Sequence, residues 1–111
     1  EPKEYAVTRY LYEAKRHYSI LDQRLAERRY VLGESYTIVD MAAWGWARMV
    51  PYILGEEAWS TLPNLKRLLD EISARSAAER VATIKDRHVF KIEMDEEARR
   101  QMFKHIALQT S

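Results

Sequence analysis

The sequence predicts an all-α fold, a helical bundle around a buried central helix. Three observations carry it. Three Gly and three Pro in 111 residues leave little turn material for many short strands. Val7, Leu11, Ala14, Tyr18, Leu21 and Leu25 follow one another at spacings of 4, 3, 4, 3 and 4, the repeat of one helix face. The stretch Tyr36–Tyr52 holds Arg48 as its only charge from Met41 onward, and a helix apolar all round belongs inside a protein.

The first helix is expected from about Pro2 to Ala26. Pro2 suits a first turn. Glu4 favours the N-terminal end of the dipole, and Arg24, Arg28 and Arg29 favour the C-terminal end. Tyr30 to Gly33 reads as a short apolar return, with Gly33 free to take the positive φ of a turn.

The central helix has a marked start. Thr37 and Asp40 form an S/T-x-x-acid capping box, and Tyr36 and Met41 occupy the two positions of a hydrophobic staple. Asp40 is therefore expected as a structural cap rather than a catalytic carboxylate. Pro51 should kink or end this helix.

Residues 53 to 61 are expected as a connection, with Trp59 a lid on the core. Pro63 opens a third helix whose apolar face is Leu65, Leu68, Leu69 and Ile72. Ser76 and Glu79 suggest a second capping box, opening a short helix with Ala77, Val81 and Ile84 inward. His88 to Ile92 reads as brief and irregular. Asp95, Glu96 and Glu97 acidify the start of a last helix, with Ala98, Met102 and Ile106 on one face.

Composition narrows the chemistry. With 47% hydrophobic and 32% charged residues, the chain is globular rather than disordered. A net charge of +1 gives no reason to expect nucleic acid or an acidic membrane surface as partner. The absence of cysteine excludes disulfides, thiolate metal sites and a Cys nucleophile within these residues. His17, His88 and His105 lack metal-ligand spacing, so no metal is expected. No Gly-rich phosphate loop or G-x-S-x-G elbow occurs. Glu56–Glu57 and Glu96–Glu97 are adjacent in sequence, so on a helix their side chains point apart. No catalytic residue is therefore assigned. Arg48, a charge in an apolar helix, must pair with an acid, reach the surface or meet a ligand.

Three stretches together resemble the C-terminal helical domain of the glutathione S-transferase family. They are YAVTRYLYEAKRHYSILDQRLAERRYVLG (residues 5–33), SYTIVDMAAWGW (35–46), whose Thr37–Asp40 box matches the capping motif of the family's core helix, and LPNLKRLLDEISARSAAERV (62–81). Within the family the chain is most similar to bacterial Nu-type, disulfide-bond-reductase-like members. It departs from them at Trp44-Gly45-Trp46, where W-P-W is common, and at Arg75-Ser76, where Arg-Pro is common.

The resemblance implies one helical domain over 1–111, with 1–85 family-like and 86–111 a C-terminal extension carrying a short helix. It also implies that the thioredoxin-like N-terminal domain, which activates the glutathione thiol, lies outside these residues. The chain would then supply a hydrophobic-substrate wall and a dimer surface for glutathione conjugation or glutathione-dependent disulfide reduction. By resemblance, Arg9 is a candidate to reach glutathione across a homodimer, and Tyr5, Tyr12, Trp44 and Tyr52 are candidate wall residues. Glutathione and a small electrophile or disulfide are the expected ligands, in a cytoplasmic enzyme. The 111 residues alone are expected to be inactive. The alternative is a non-enzymatic protein-interaction module of the same fold.

Overall fold

The computed structural model describes residues 3–89 and 93–102. The chain divides into two compact units, Glu1–Glu79 and Arg80–Ser111. Among the described residues the regular structure is helical, and the only pairing of extended backbone is an isolated bridge between Tyr30 and Gly33.

In the first unit, α1 spans Glu4–Leu25, α2 Ile38–Ala47, α3 Val50–Leu54 and α4 Pro63–Ser73, with a 3₁₀ helix at Glu56–Thr61 between the last two. Both α1 and α2 pack on α4, and α3 packs on α1 and the 3₁₀ helix. The core is Tyr18, Leu25, Tyr30, Ala43, Ala47, Val50, Leu62 and the α4 face Leu65, Leu68 and Ile72, with Leu69 partly buried beside it. Trp59 lies half-buried on that core, as expected of a lid. Gly33 takes a φ of 131° in the return between α1 and α2, and Gly55 a φ of 87° where α3 gives way to the 3₁₀ helix. Both values lie where a Cβ is disfavoured.

The junctions follow from local chemistry. The capping box forms: the Asp40 carboxylate accepts the Thr37 N–H at 2.8 Å, and the Thr37 hydroxyl accepts the Val39 N–H at 3.2 Å. Tyr36, the expected staple residue, has its ring edge-on to that of Tyr30 at 5.5 Å and lies 4.0 Å beneath the Arg75 guanidinium. Pro51 interrupts the apolar stretch. It has no N–H for the Ala47 carbonyl, so α2 ends at Ala47, the chain turns through Arg48 and Met49, and α3 restarts with Pro51 in its first turn.

Several expectations are corrected. The central helix is not buried all round by the described residues. Asp40, Ala43, Ala47 and Val50 form one buried stripe, while Met41, Ala42 and Met49 are exposed and Ile38, Trp46 and Tyr52 are 78%, 70% and 84% exposed. A packed helix buries only the side its neighbours cover, and α2 packs on α4. Second, the α1 stripe is a core face only from Ala14 onward; Val7 and Leu11 are exposed. Third, the Ser76–Glu79 box does not form. Ser76 is already the first residue of α5 (Ser76–Ala82), and the Glu79 N–H donates to the Arg75 carbonyl at 3.1 Å.

In the second unit, α6 spans Ile84–Arg87 and α7 Glu96–Met102. Ala77, Val81 and Ile84, all expected inward, are exposed, and Ala78 is the buried residue of α5. The Asp95 carboxylate caps α7 by accepting the Ala98 N–H at 2.8 Å. Met102 is exposed and Ala98 half-buried. Pro2, His105, Ile106 and the segment Phe90–Ile92 lie outside the described residues.

Candidate functional site

The expected site residues fall into separate groups. Tyr5, Arg9 and Tyr12 share one face of α1, at i, i+4 and i+7. All three are exposed, on the side opposite the core stripe. Trp44 and Tyr52 lie instead at the α2–α3 junction. Thr37 and Asp40 form a third, wholly structural group. Asp40 is fully buried, and beyond the box its other oxygen accepts the Val31 N–H at 2.8 Å. Its carboxylate thereby ties the return after α1 to the start of α2 and has no open side for substrate.

An apolar groove runs along α1, and sequence reasoning did not find it as a site. Two adjoining hollows of about 380 and 470 Å³ share Ala14 and Ile53. Val7, Tyr10 and Leu11 line one, and Tyr18, Leu21 and Trp46 line the other. The Tyr18 hydroxyl donates to the Trp46 carbonyl at 3.0 Å, which pins α1 to α2 at the groove floor. Burial pushes the Tyr18 phenol up from its usual range, so it stays a neutral donor. The signal for the groove was in the sequence: the α1 stripe continues past Tyr18 to Val7, further than the neighbouring helices reach. Trp46, rather than Trp44, is the tryptophan that faces it.

A second opening, of about 940 Å³, lies between the α2–α3 junction and α4. Gly45, Arg48, Met49, Tyr52 and Leu69 are among its lining residues. Arg48 thus reaches the surface, as one of its expected alternatives required. Its guanidinium lies 4.8 Å over the Trp44 ring, and the Trp44 indole N–H donates to the Ser73 hydroxyl at 2.9 Å.

Around the far end of α1 the charges are engaged. Glu71 on α4 accepts the Tyr30 hydroxyl at 2.7 Å and the Arg29 Nε at 3.0 Å. The Tyr30 hydrogen bond, followed by that of Arg29 and the nearby Arg67 charge, holds the Glu71 carboxyl below the usual range against its partial burial. Arg67 donates to the carbonyls of Leu25, Arg28 and Arg29. Arg67 of α4 thus holds the last carbonyl of α1 and the turn that follows it, while Arg24 lies in the last turn of α1 as expected. Among the described residues no group of three or more His, Asp or Glu side chains is gathered as a metal site, and no helix is long and apolar enough to cross a membrane.

The model of the glutathione S-transferase C-terminal domain matches residues 1–76. The chain belongs to the glutathione S-transferase family. It is 51% identical over 43 residues to the disulfide-bond oxidoreductase YghU of Escherichia coli (strain K12), covering 39% of this chain and 15% of that protein. It is 36% identical over 90 residues to an uncharacterized GST-like protein of Streptococcus mutans, covering 76% of this chain and 34% of that one. A glutathione S-transferase domain-containing protein of Dictyostelium discoideum is 32% identical over 80 residues, covering 71% and 31%. No solved structure matches the chain significantly. The chain thus spans about a third or less of the length of these relatives. As a C-terminal domain of this family it presents the helical core with its Thr37–Asp40 box, and the apolar groove lies on that core's open side.

Proposed function

We propose that this chain is the helical half of a glutathione-dependent enzyme that reduces disulfides, with conjugation of a small electrophile as the companion activity of the same site. The family match over residues 1–76 carries the reading. The naming of two relatives, YghU and YfcG of Escherichia coli, as disulfide-bond oxidoreductases favours reduction over conjugation.

The chain has no cysteine, so the thiols of the reaction come from glutathione or from the rest of the protein. In the glutathione route, two thiols each lose a proton and together pass two electrons to the disulfide. One glutathione disulfide forms and two substrate thiols leave. The thiolate needs a donor at its sulfur, which we assign to an N-terminal thioredoxin-like domain outside these residues. The groove over Val7, Leu11, Trp46 and Ile53 would serve as an apolar surface for the second substrate or for that domain. The exposed Arg9 suits a glutathione carboxylate, because a guanidinium binds carboxylates through two parallel hydrogen bonds. In this proposal it acts across a homodimer, with Tyr5 and Tyr12 beside it. The enzyme would work in the cytoplasm.

The test is glutathione-dependent reduction of bis(2-hydroxyethyl) disulfide by the intact protein, followed as glutathione disulfide formed. Turnover that requires both glutathione and the disulfide supports the proposal. Failure to turn over this disulfide or a chlorodinitrobenzene electrophile would move the assignment to a non-enzymatic interaction module.

A further inference from the structure

The opening beside Arg48 has features that neither the fold nor the proposed reaction requires. Arg48 follows the last residue of α2, where the Pro51 interruption turns the chain outward. Its side chain makes no ion pair among the described residues, so the guanidinium donors are not spent on a protein carboxylate. It is nonetheless held in place. Its Cζ lies 4.8 Å from the Trp44 ring centroid, and the indole is fixed in turn by the 2.9 Å hydrogen bond from its N–H to the Ser73 hydroxyl. A guanidinium oriented by an aromatic ring loses less side-chain freedom when it captures an anion than a free one does.

The rest of the lining restricts what that anion can be. Met49, Tyr52 and Leu69 supply apolar wall, and Glu56 and Asp70 supply the acids. Asp70 is neutralised by Lys66, whose ammonium lies 2.7 Å from both carboxylate oxygens. Glu56 has no such partner among the described residues. With one open guanidinium and one open carboxylate in its lining, the cleft opposes a phosphate or any polyanion more strongly than a singly charged anion, because repulsion from the carboxylate grows with the ligand's charge. Gly45, with open space where a Cβ would stand, leaves the floor clear.

We propose that this cleft is a binding subsite for a small monocarboxylate with an apolar body, the carboxylate taken by Arg48 and the body laid against Tyr52, Met49 and Leu69. This subsite is independent of the glutathione chemistry, and its occupancy is measurable without turnover.

The experiment is a calorimetric titration of the intact protein with 4-phenylbutyrate, with 4-phenylbutanol and phenylphosphate as comparison ligands. The wild type should bind phenylbutyrate more tightly than either. Arg48→Gln should weaken phenylbutyrate binding about tenfold, the loss of one charge-assisted pair, and leave phenylbutanol unchanged. Arg48→Lys should fall between, since an ammonium keeps the charge without the planar fork. Trp44→Phe keeps a ring under the guanidinium but loses the Ser73 hydrogen bond, and should weaken phenylbutyrate binding without abolishing it. Melting temperatures of all variants identify any unfolded one, and the lysine variant keeps the comparison open if the glutamine variant fails to fold. Equal binding of phenylbutyrate and phenylbutanol, tighter binding of phenylphosphate, or phenylbutyrate affinity unchanged in Arg48→Gln would overturn the proposal. So would no binding of phenylbutyrate by the wild type.

Discussion

The Asp22 carboxylate, on α1, accepts the backbone N–H of Leu65 in the first turn of α4 at 2.8 Å, and its second oxygen accepts the Asn64 side-chain amide at 3.0 Å. Leu62, at the N-cap position of α4, makes no side-chain cap hydrogen bond, so the helix borrows its cap from 43 residues away. The favour is returned at the same junction, where Arg67 on α4 donates to the carbonyl of Leu25, the last residue of α1, at 3.3 Å and to that of Arg28 in the turn beyond it. The two helices are locked in register by each other's termini. Replacing Asp22 with Ala would leave the buried Leu65 N–H unpaired and remove a charged acceptor, at a cost of about 2–3 kcal/mol. Urea unfolding should show the midpoint fall with little change in slope; an unchanged midpoint would mean that the cap contributes nothing.

Asp40→Ala should destabilise by a comparable amount. Its carboxylate serves two backbone N–H groups, those of Val31 and Thr37, where a single exposed cap is worth ~1 kcal/mol. Activity per folded molecule should not change. Thermal melts alongside specific activity at a temperature where the variant is still folded check this. Lost activity at an unchanged melting temperature would return Asp40 to the catalytic candidates.

Glu71 sets an expectation for acid stability. Its folded pKa lies below the ordinary carboxyl value, chiefly through the Tyr30 hydroxyl. A depressed pKa contributes stability that is fully present above the unfolded value, ordinarily about 4.3. That contribution is lost as pH falls through the folded value. Melting temperatures between pH 7 and 3 should therefore fall more steeply for the wild type than for Glu71→Gln, and Tyr30→Phe should flatten the same limb. Parallel curves for all three proteins would contradict the assignment.

The Arg9 side chain is exposed and joins no salt bridge among the described residues. Arg9→Ala should leave the folding stability within about 0.5 kcal/mol of wild type, as surface changes do. If Arg9 grips a glutathione carboxylate, KM for glutathione should rise several-fold in the intact protein while kcat holds. Steady-state kinetics at varied glutathione check it, and an unchanged KM would remove Arg9 from the site.

Much of the fold was legible because it is written locally. The Thr37–Asp40 box, the Pro51 break, the Pro63 start and the α4 stripe each depend on residues within a turn or two of one another. What was not legible depends on distance. Nothing within one turn of Asp22 marks it as a cap for Leu65, and nothing near Arg67 marks it as the cap of α1. The all-round apolarity of α2 was misread for a related reason. Such a pattern says that every side of a helix can be covered, not which elements cover it, and Ile38, Trp46 and Tyr52 remain open here. The site was the least legible part. Trp44 and Trp46 are two residues apart, yet one supports Arg48 and the other faces the α1 groove.

The proposed division of labour between this helical domain and the rest of the protein is tested most directly by calorimetric titration of glutathione into the intact protein and into the 111-residue chain. Arg9 is the one donor assigned here to glutathione, and a single charge-assisted contact is worth about 1.5–3 kcal/mol, short of the roughly 4 kcal/mol that even millimolar affinity needs. The intact protein should bind glutathione and the 111-residue chain, verified as helical by circular dichroism, should show no heat of binding. Micromolar binding by the 111-residue chain, or none by the intact protein, would contradict it.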